Sequence, residues 1–352
     1  MSYINGMAAI NLEMPDEIPR TEYSAHFHWD LVNKVIGSNI TPGSTEQEQQ
    51  KASESFVKNW DYGMFWNILT HNQIFDGKYT KLGHAEFKGG GVDFSDERSL
   101  LVEDPEDVFQ LDMYELYGTR DLKVLTEEYD RNYEDICKCY PDTVNMTGIY
   151  TTCMSGVLEM LGWDTLLMAA GIDSRSFGEF VNRYTEWIGQ YFNALALSKS
   201  PVVMIHDDIT WTSGAFLQPE FYREFIFPNY KKLFSPLMEA GKKILFTSDG
   251  NYTQFVDDIA RCGVNGFIFE PCTDLEYICS RYGKSHVIVG NVDTTVLLMK
   301  GKEEIEEEVK RCINLGKKCP GYFLAVGNHI PPNTPVENAL WYQEFYEKYK
   351  KR

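Results

Sequence analysis

A chain of 352 residues that is 43% hydrophobic can bury a large core, and α/β barrels of this length fold as one domain. Its formal net charge of −19, with no dense run of Lys or Arg, argues against nucleic acid, anionic membrane surfaces and polyanionic substrates. The eight cysteines are scattered without a C-x-x-C pair, the start of the chain has no leader-like pattern, and no apolar run reaches the roughly 18 residues of a membrane helix; a cytoplasmic protein with reduced thiols is expected.

The first 60 residues are polar and mixed, with helical spacing over 28–37. The Thr-, Glu-, Gln- and Ser-rich stretch 41–53 suits a loop or the start of an amphipathic helix. The aromatic run 64–69 reads as an early strand, followed by an irregular excursion with a glycine-rich turn at Lys88-Gly89-Gly90-Gly91. Residues 144–152 read as another strand, and helical spacing follows over 155–170 and 177–198.

Apolar runs then recur at 202–205, 244–246, 266–269, 287–289 and 322–326. Each is followed by helical spacing, at 219–240, 252–262, 274–282, 302–315 and 335–350. Continuous apolar runs of this length suit strands buried on both faces, and parallel neighbours need a crossover, so the alternation implies a parallel sheet. With the earlier strands the count fits eight. The expected fold is α/β, a distorted (β/α)8 barrel over residues 61–352, with residues 1–60 as an irregular N-terminal extension packed on it. A doubly wound open sheet is the alternative.

Each of the five runs ends in polar residues, which suggests one rim onto which the strands deliver chemistry. His206 is followed by Asp207 and Asp208, which point in opposite directions if the strand persists. Asp249 stands where Gly250 permits a tight turn and suits a metal ligand or general base. Glu270 ends a buried strand, where a charge must be paired, protonated or metal-bound. Asn291 and Asp293 share a face by period two and suit substrate orientation or barrel-top structure. Asn328 and His329 precede a proline-rich loop that would hold a ligand rigidly. The expected catalytic residues are Asp249, His206 and Asp207, and the expected metal ligands Asp249, Glu270 and His329. Trp66, Tyr150, Trp211, Asn291, Asp293 and Asn328 are the expected substrate contacts. His26, His28, His71, His84 and His286 read as structural or exposed. Neither G-x-G-x-x-G after a strand nor G-x-x-x-x-G-K-[ST] occurs, and G-x-S-x-G and H-E-x-x-H are also absent.

Residues 202–338 resemble the uroporphyrinogen decarboxylase superfamily. The resemblance is carried by Asp207-Asp208 with Gly214, by Pro219, Tyr222, Arg223 and Pro228, and by Ala240-Gly241-Lys242 leading into Ser248-Asp249-Gly250-Asn251. It continues through Gly290-Asn291 and Asp293 to Pro335, Glu337 and Asn338. It implies a barrel with its site at the carboxyl ends of the strands, and either of two chemistries. The decarboxylases grip a polycarboxylate porphyrinogen with an arginine-rich N-terminal segment, whereas Arg20 is the one arginine in the first 90 residues here. The cobamide-dependent methyltransferases use zinc, and some carry a His-x-Cys pair where this chain has Thr247 and Asp249. The chain is similar to the O-demethylase type of that branch. The resemblance implies methyl transfer from a small methylated substrate, such as an aryl methyl ether, to cobalamin on a partner corrinoid protein, with zinc as metal. A decarboxylase or lyase acting on a small carboxylic acid is the alternative. A homodimer is left open.

Overall fold

The computed structural model describes residues 2–80, 85–88, 91–94 and 100–352. His84 and the Gly89-Gly90 pair of the expected turn lie outside the described residues. The molecule is a distorted (β/α)8 barrel whose later strands fall where the apolar runs place them. Strand β1 is Met64–Phe65, β2 Val144–Asn145, β3 Thr147–Ile149, β4 Val202–His206 and β5 Lys243–Ser248. Strand β6 is Gly266–Phe269, β7 Val287–Val289 and β8 Tyr322–Phe323. Strands β3 to β8 form one parallel six-stranded sheet in sequential order, and β1 pairs with β2.

Since β2 and β3 are two pieces of one stave, both paired with the 64–70 segment, the labelled strands supply seven staves, and the eighth comes from the segment around Arg20, within the stretch expected as an N-terminal extension. Gly63 N donates to Arg20 O (2.8 Å), Thr21 N to Leu324 O (3.1 Å) and Leu324 N to Pro19 O (2.9 Å), so the segment bridges β1 and β8. Its outward side chains form a buried ion pair, Arg20 with Glu22 at 2.8 Å. The Arg20 guanidinium lies 4.4–4.9 Å from the ring centroids of Trp60, Tyr342 and Tyr346. Glu22 accepts hydrogen bonds from Tyr342 (2.5 Å) and from Val326 N (3.2 Å), which satisfies a charge that would otherwise be costly to bury.

Successive side chains on a strand point to opposite faces, and here both faces are apolar. Val202, Met204, Leu245, Ile268, Val287, Val289, Phe323 and Ala325 fill the barrel interior. Val203, Ile205, Ile244, Phe246, Phe267, Phe269 and Leu324 pack outward in the larger core beneath the helices. The helix Ser2–Ile10 contributes Ala9 and Ile10 to the interior cluster; a Cβ on its Gly6 would collide with Gly63 O, so glycine permits that close seat.

Helices Trp29–Ile36, Met154–Ile172, Ser174–Leu197, Leu275–Tyr282, Lys302–Gly316 and Val336–Tyr349 match the predicted spacing to within a few residues. The ambiguous stretch 41–53 resolves into a loop and the helix Glu46–Asn59, started by a capping box between Thr45 and Glu48. The predicted 219–240 helix is interrupted by a π segment, Tyr222–Ile226, before Phe227–Glu239. The amphipathic helix Leu122–Cys139 adds to the outer layer. Among the described residues, no helix is long and apolar enough to cross a membrane.

Candidate active site

The inner parity of the strands decides which rim residues meet. On β4 the inward series Val202, Met204, His206 continues to Asp208; on β5 the series Leu245, Thr247 continues to Asp249. These converge at the carboxyl ends of the strands on a cavity of about 180 Å³. Its lining includes Tyr23, Trp66, Ile68, Tyr150, His206, Thr247, Asp249, Asn328 and His329, and no Lys or Arg among the described residues.

His206 Nε2 lies 3.1 Å from Asp208 Oδ1, and its Nδ1 faces Tyr150 O (3.2 Å) and Ser155 Oγ (3.3 Å). The imidazole stacks on Tyr150 with centroids 3.7 Å apart and planes 10° from parallel. Burial opposes its charge, but the Asp208 carboxylate, with Asp249 beyond it, raises the His206 pKa to about 9. Burial also disfavours charge on Asp208, yet the adjacent imidazolium prevails and holds its pKa below the ordinary value.

Asp249 meets solvent through the cavity mouth but is walled by protein on its other sides. That enclosure, followed by the charges of Asp208 and Glu270, pushes its pKa up to about 7. Its backbone N–H donates to Asp208 Oδ1 (2.9 Å), and Asn328 Nδ2 reaches Asp249 Oδ1 (3.4 Å) and Glu270 Oε1 (2.8 Å). Gly250, at φ +77°, turns the chain beneath the hairpin after β4, where a Cβ would strike Thr210 O.

The expected metal trio is not what the structure gathers. Among the described residues, the ligand atoms brought within 4.8 Å of one another belong to His206, Asp208 and Asp249. Glu270 is instead engaged by Gly250 N (2.7 Å) and Asn328, and His329 stands across the cavity with its ring 6.3 Å from Tyr23. Asp207, expected to be catalytic, has the outward parity: it accepts from Ser155 N (2.6 Å) and the Tyr230 hydroxyl (2.5 Å) beneath the helices.

Two expected substrate contacts on β7's end are structural. Asn291 donates to Glu270 O and Thr273 O and accepts from Arg311; Asp293 caps the helix Thr294–Met299 through Thr295 N. Trp211 lies outside the cavity lining, on a hairpin packed against Trp163 and Phe216. Trp66, Tyr150 and Asn328 do line the cavity. Tyr23 is not among the expected site residues, and of the diverging pair Asp207 and Asp208 the expected catalytic one is Asp207, whereas Asp208 is the one that faces the site. Extending strand parity past His206 would have found Asp208; Tyr23 sits in a polar segment with no strand-like run.

His26 is buried, and His28 caps the helix Trp29–Ile36. His71 lies against Tyr150, and His286 stacks on Phe267. These histidines belong to the surrounding structure, apart from the indirect contact of His71 through Tyr150.

A model of the uroporphyrinogen decarboxylase (URO-D) family matches residues 85–349. The chain belongs to the uroporphyrinogen decarboxylase family. The uroporphyrinogen decarboxylase of Idiomarina loihiensis is 30% identical over 182 residues, 50% of this chain and 49% of that protein. That of Carboxydothermus hydrogenoformans is 26% identical over 271 residues, 74% of this chain and 73% of that protein. The match spans about half the length of the first of these relatives. Among solved structures, a methyltransferase from Methanosarcina mazei shares the fold, with a TM-score of 0.62 and 17% identity over 99% of this chain and 98% of that one. Among the described residues, the cavity of this family member is lined by one cation, the His206 imidazolium, and by no Lys or Arg.

Proposed function

We propose that this family member is a methyltransferase that takes a methyl group from the oxygen of a small methylated substrate, an aryl methyl ether, and delivers it to a reduced corrinoid on a separate carrier protein. The observation that carries the reading is the cavity. About 180 Å³ is little more than the roughly 150 Å³ that admits a benzene ring, and far too small for a porphyrinogen. Aromatic walls and the lack of Lys or Arg in its lining among the described residues favour a neutral ring over a polycarboxylate, and Arg20 is held in the outer core away from it. A corrin does not fit the cavity either, which favours an acceptor presented at its mouth.

In the transfer, the O–CH3 bond breaks with both electrons remaining on oxygen, the methyl passes to the acceptor's nucleophile, and the oxygen takes a proton. Asp249 is the donor placed for this: a pKa near 7 keeps an appreciable protonated fraction at neutral pH. Asp208 and Asn328 fix its position. His206, Asp208 and Asp249 also form a nitrogen-and-oxygen set that would hold zinc or another divalent ion once His206 and Asp249 had given up their protons, so that the ion would replace the Asp249 proton rather than act beside it. Such an ion, when bound, would supply Lewis acidity toward the substrate oxygen.

The test is methylation of a reduced corrinoid carrier protein, followed by visible absorbance. Methoxylated aromatics, methylamines and betaines serve as donors, with protein analysed for metal, stripped with chelator and reloaded. A methoxylated aromatic is expected to serve as donor, and Asp249→Asn to slow the transfer by about 10² or more while the protein stays folded. Transfer from none of the donors would defeat the reading.

A second reading, decarboxylation of a small carboxylic acid, is favoured by the relatives and by His206, a cation able to hold one carboxylate. Carbon dioxide release from small aromatic acids in the same preparations distinguishes it.

A further inference from the structure

Tyr23 is the first stave's contribution to the cavity. Its ring meets Trp66 edge-on, with centroids 4.7 Å apart and planes at 81°, and stands 6.3 Å from the His329 ring. Its hydroxyl oxygen is enclosed, yet it has no hydrogen-bond partner among the described residues. Buried hydroxyls are almost always partnered, because enclosing a donor without an acceptor sacrifices its hydration.

Polar groups nearby are engaged elsewhere. Glu270 accepts from Gly250 N and Asn328, and Asp249 Oδ1 accepts from the same Asn328 amide. Burial, followed by the charges of Glu22, Asp249 and Glu270, keeps the Tyr23 phenol well above its ordinary pKa, so it remains a donor. A ligand oxygen placed against it would supply the acceptor it lacks among the described residues.

We propose that Tyr23 determines specificity in this cavity, its hydroxyl donating to an oxygen on a small ring-bearing ligand whose apolar body lies against Trp66. The site would then select an oxygen-bearing ring over its all-carbon isostere. This rests on the proposed function only in taking the cavity as the substrate site.

The test uses two matched probe pairs, anisole with ethylbenzene and 2-methoxyphenol with 2-ethylphenol. Binding to the full chain and to Tyr23→Phe is measured by calorimetry and by tryptophan fluorescence. The wild type is expected to prefer the ether of each pair by about tenfold, the worth of one net hydrogen bond. Tyr23→Phe should erase that preference while binding the carbon isosteres within about twofold of wild type. Its Tm should be unchanged, because no protein hydrogen bond is removed.

A preference that survives in Tyr23→Phe, equal weakening of both members of a pair, no binding of the ethers to wild type, or a marked fall in Tm would each overturn the assignment. The binding readout is independent of turnover. Ether selectivity lost in Tyr23→Phe without any methyl transfer would sink the proposed reaction and leave Tyr23 in its role. Methyl transfer with unaltered selectivity would do the reverse.

Discussion

At the scale of single residues, strand parity explains which polar groups reach the cavity. His206, Asp208 and Asp249 share the inward series, while Asp207 does not. The sequence shows that Asp207 and Asp208 diverge, and period two groups Asp208 with His206; with β4 buried on both faces, no polar alternation marks which of the two groups faces inward. His26 offers a pH test of burial. It is packed among Phe27, Phe65, Tyr62 and Tyr140, and burial, with a smaller push from His329, lowers its pKa to about 3. The folded pKa lies below the unfolded value near 6.5, so the unfolded state binds the proton first. Stability is therefore lost as pH falls from about 6.5 toward 3, by up to about 1.4 kcal/mol per unit. Denaturant unfolding between pH 4 and 7 should show this slope in wild type and a flatter one in His26→Phe.

At the scale of elements, Asp207 shows a strand capping a helix. Cys153 makes no side-chain cap bond to the helix Met154–Ile172, and the Asp207 carboxylate accepts Ser155 N instead. Its other oxygen accepts the Tyr230 hydroxyl from the helix Phe227–Glu239, so one carboxylate ties β4 to two helices. Asp207→Ala removes the cap and leaves a buried hydroxyl without its acceptor, for an expected loss of about 2–3 kcal/mol. Thermal unfolding measures this, and cavity binding should be little changed. The elements themselves were legible where periodicity was strong: the uninterrupted runs gave β4 to β8, and 3.6-residue spacing gave the helices between them. The ends of β7 and the hairpin after β4 were not legible, because loop geometry directs Asn291, Asp293 and Trp211 away from the cavity.

At the scale of the whole molecule, the barrel closes through its least strand-like segment. A stave whose outward residues are Arg20 and Glu22 shows no apolar run, so eightfold closure could be counted from the sequence but its first member could not be placed. Removing one half of that buried ion pair strands the other charge, and Glu22→Ala is expected to destabilise the protein by about 3–5 kcal/mol. Replacing both charges, Arg20→Met with Glu22→Leu, should recover most of the loss; denaturant titration of the three proteins decides it.

Closure also sets an order of events. Glu22 is hydrogen-bonded to Val326, 304 residues further along the chain. At ribosomal speeds of roughly 5–20 residues per second, the first stave is exposed for tens of seconds before its partner is synthesised. Tyr23 and Asn328 stand on opposite sides of that seam, so the cavity is completed only when the ends of the barrel meet. Ligand binding at this site would therefore report the last step of assembly, separating a closed barrel from a compact one that has yet to join.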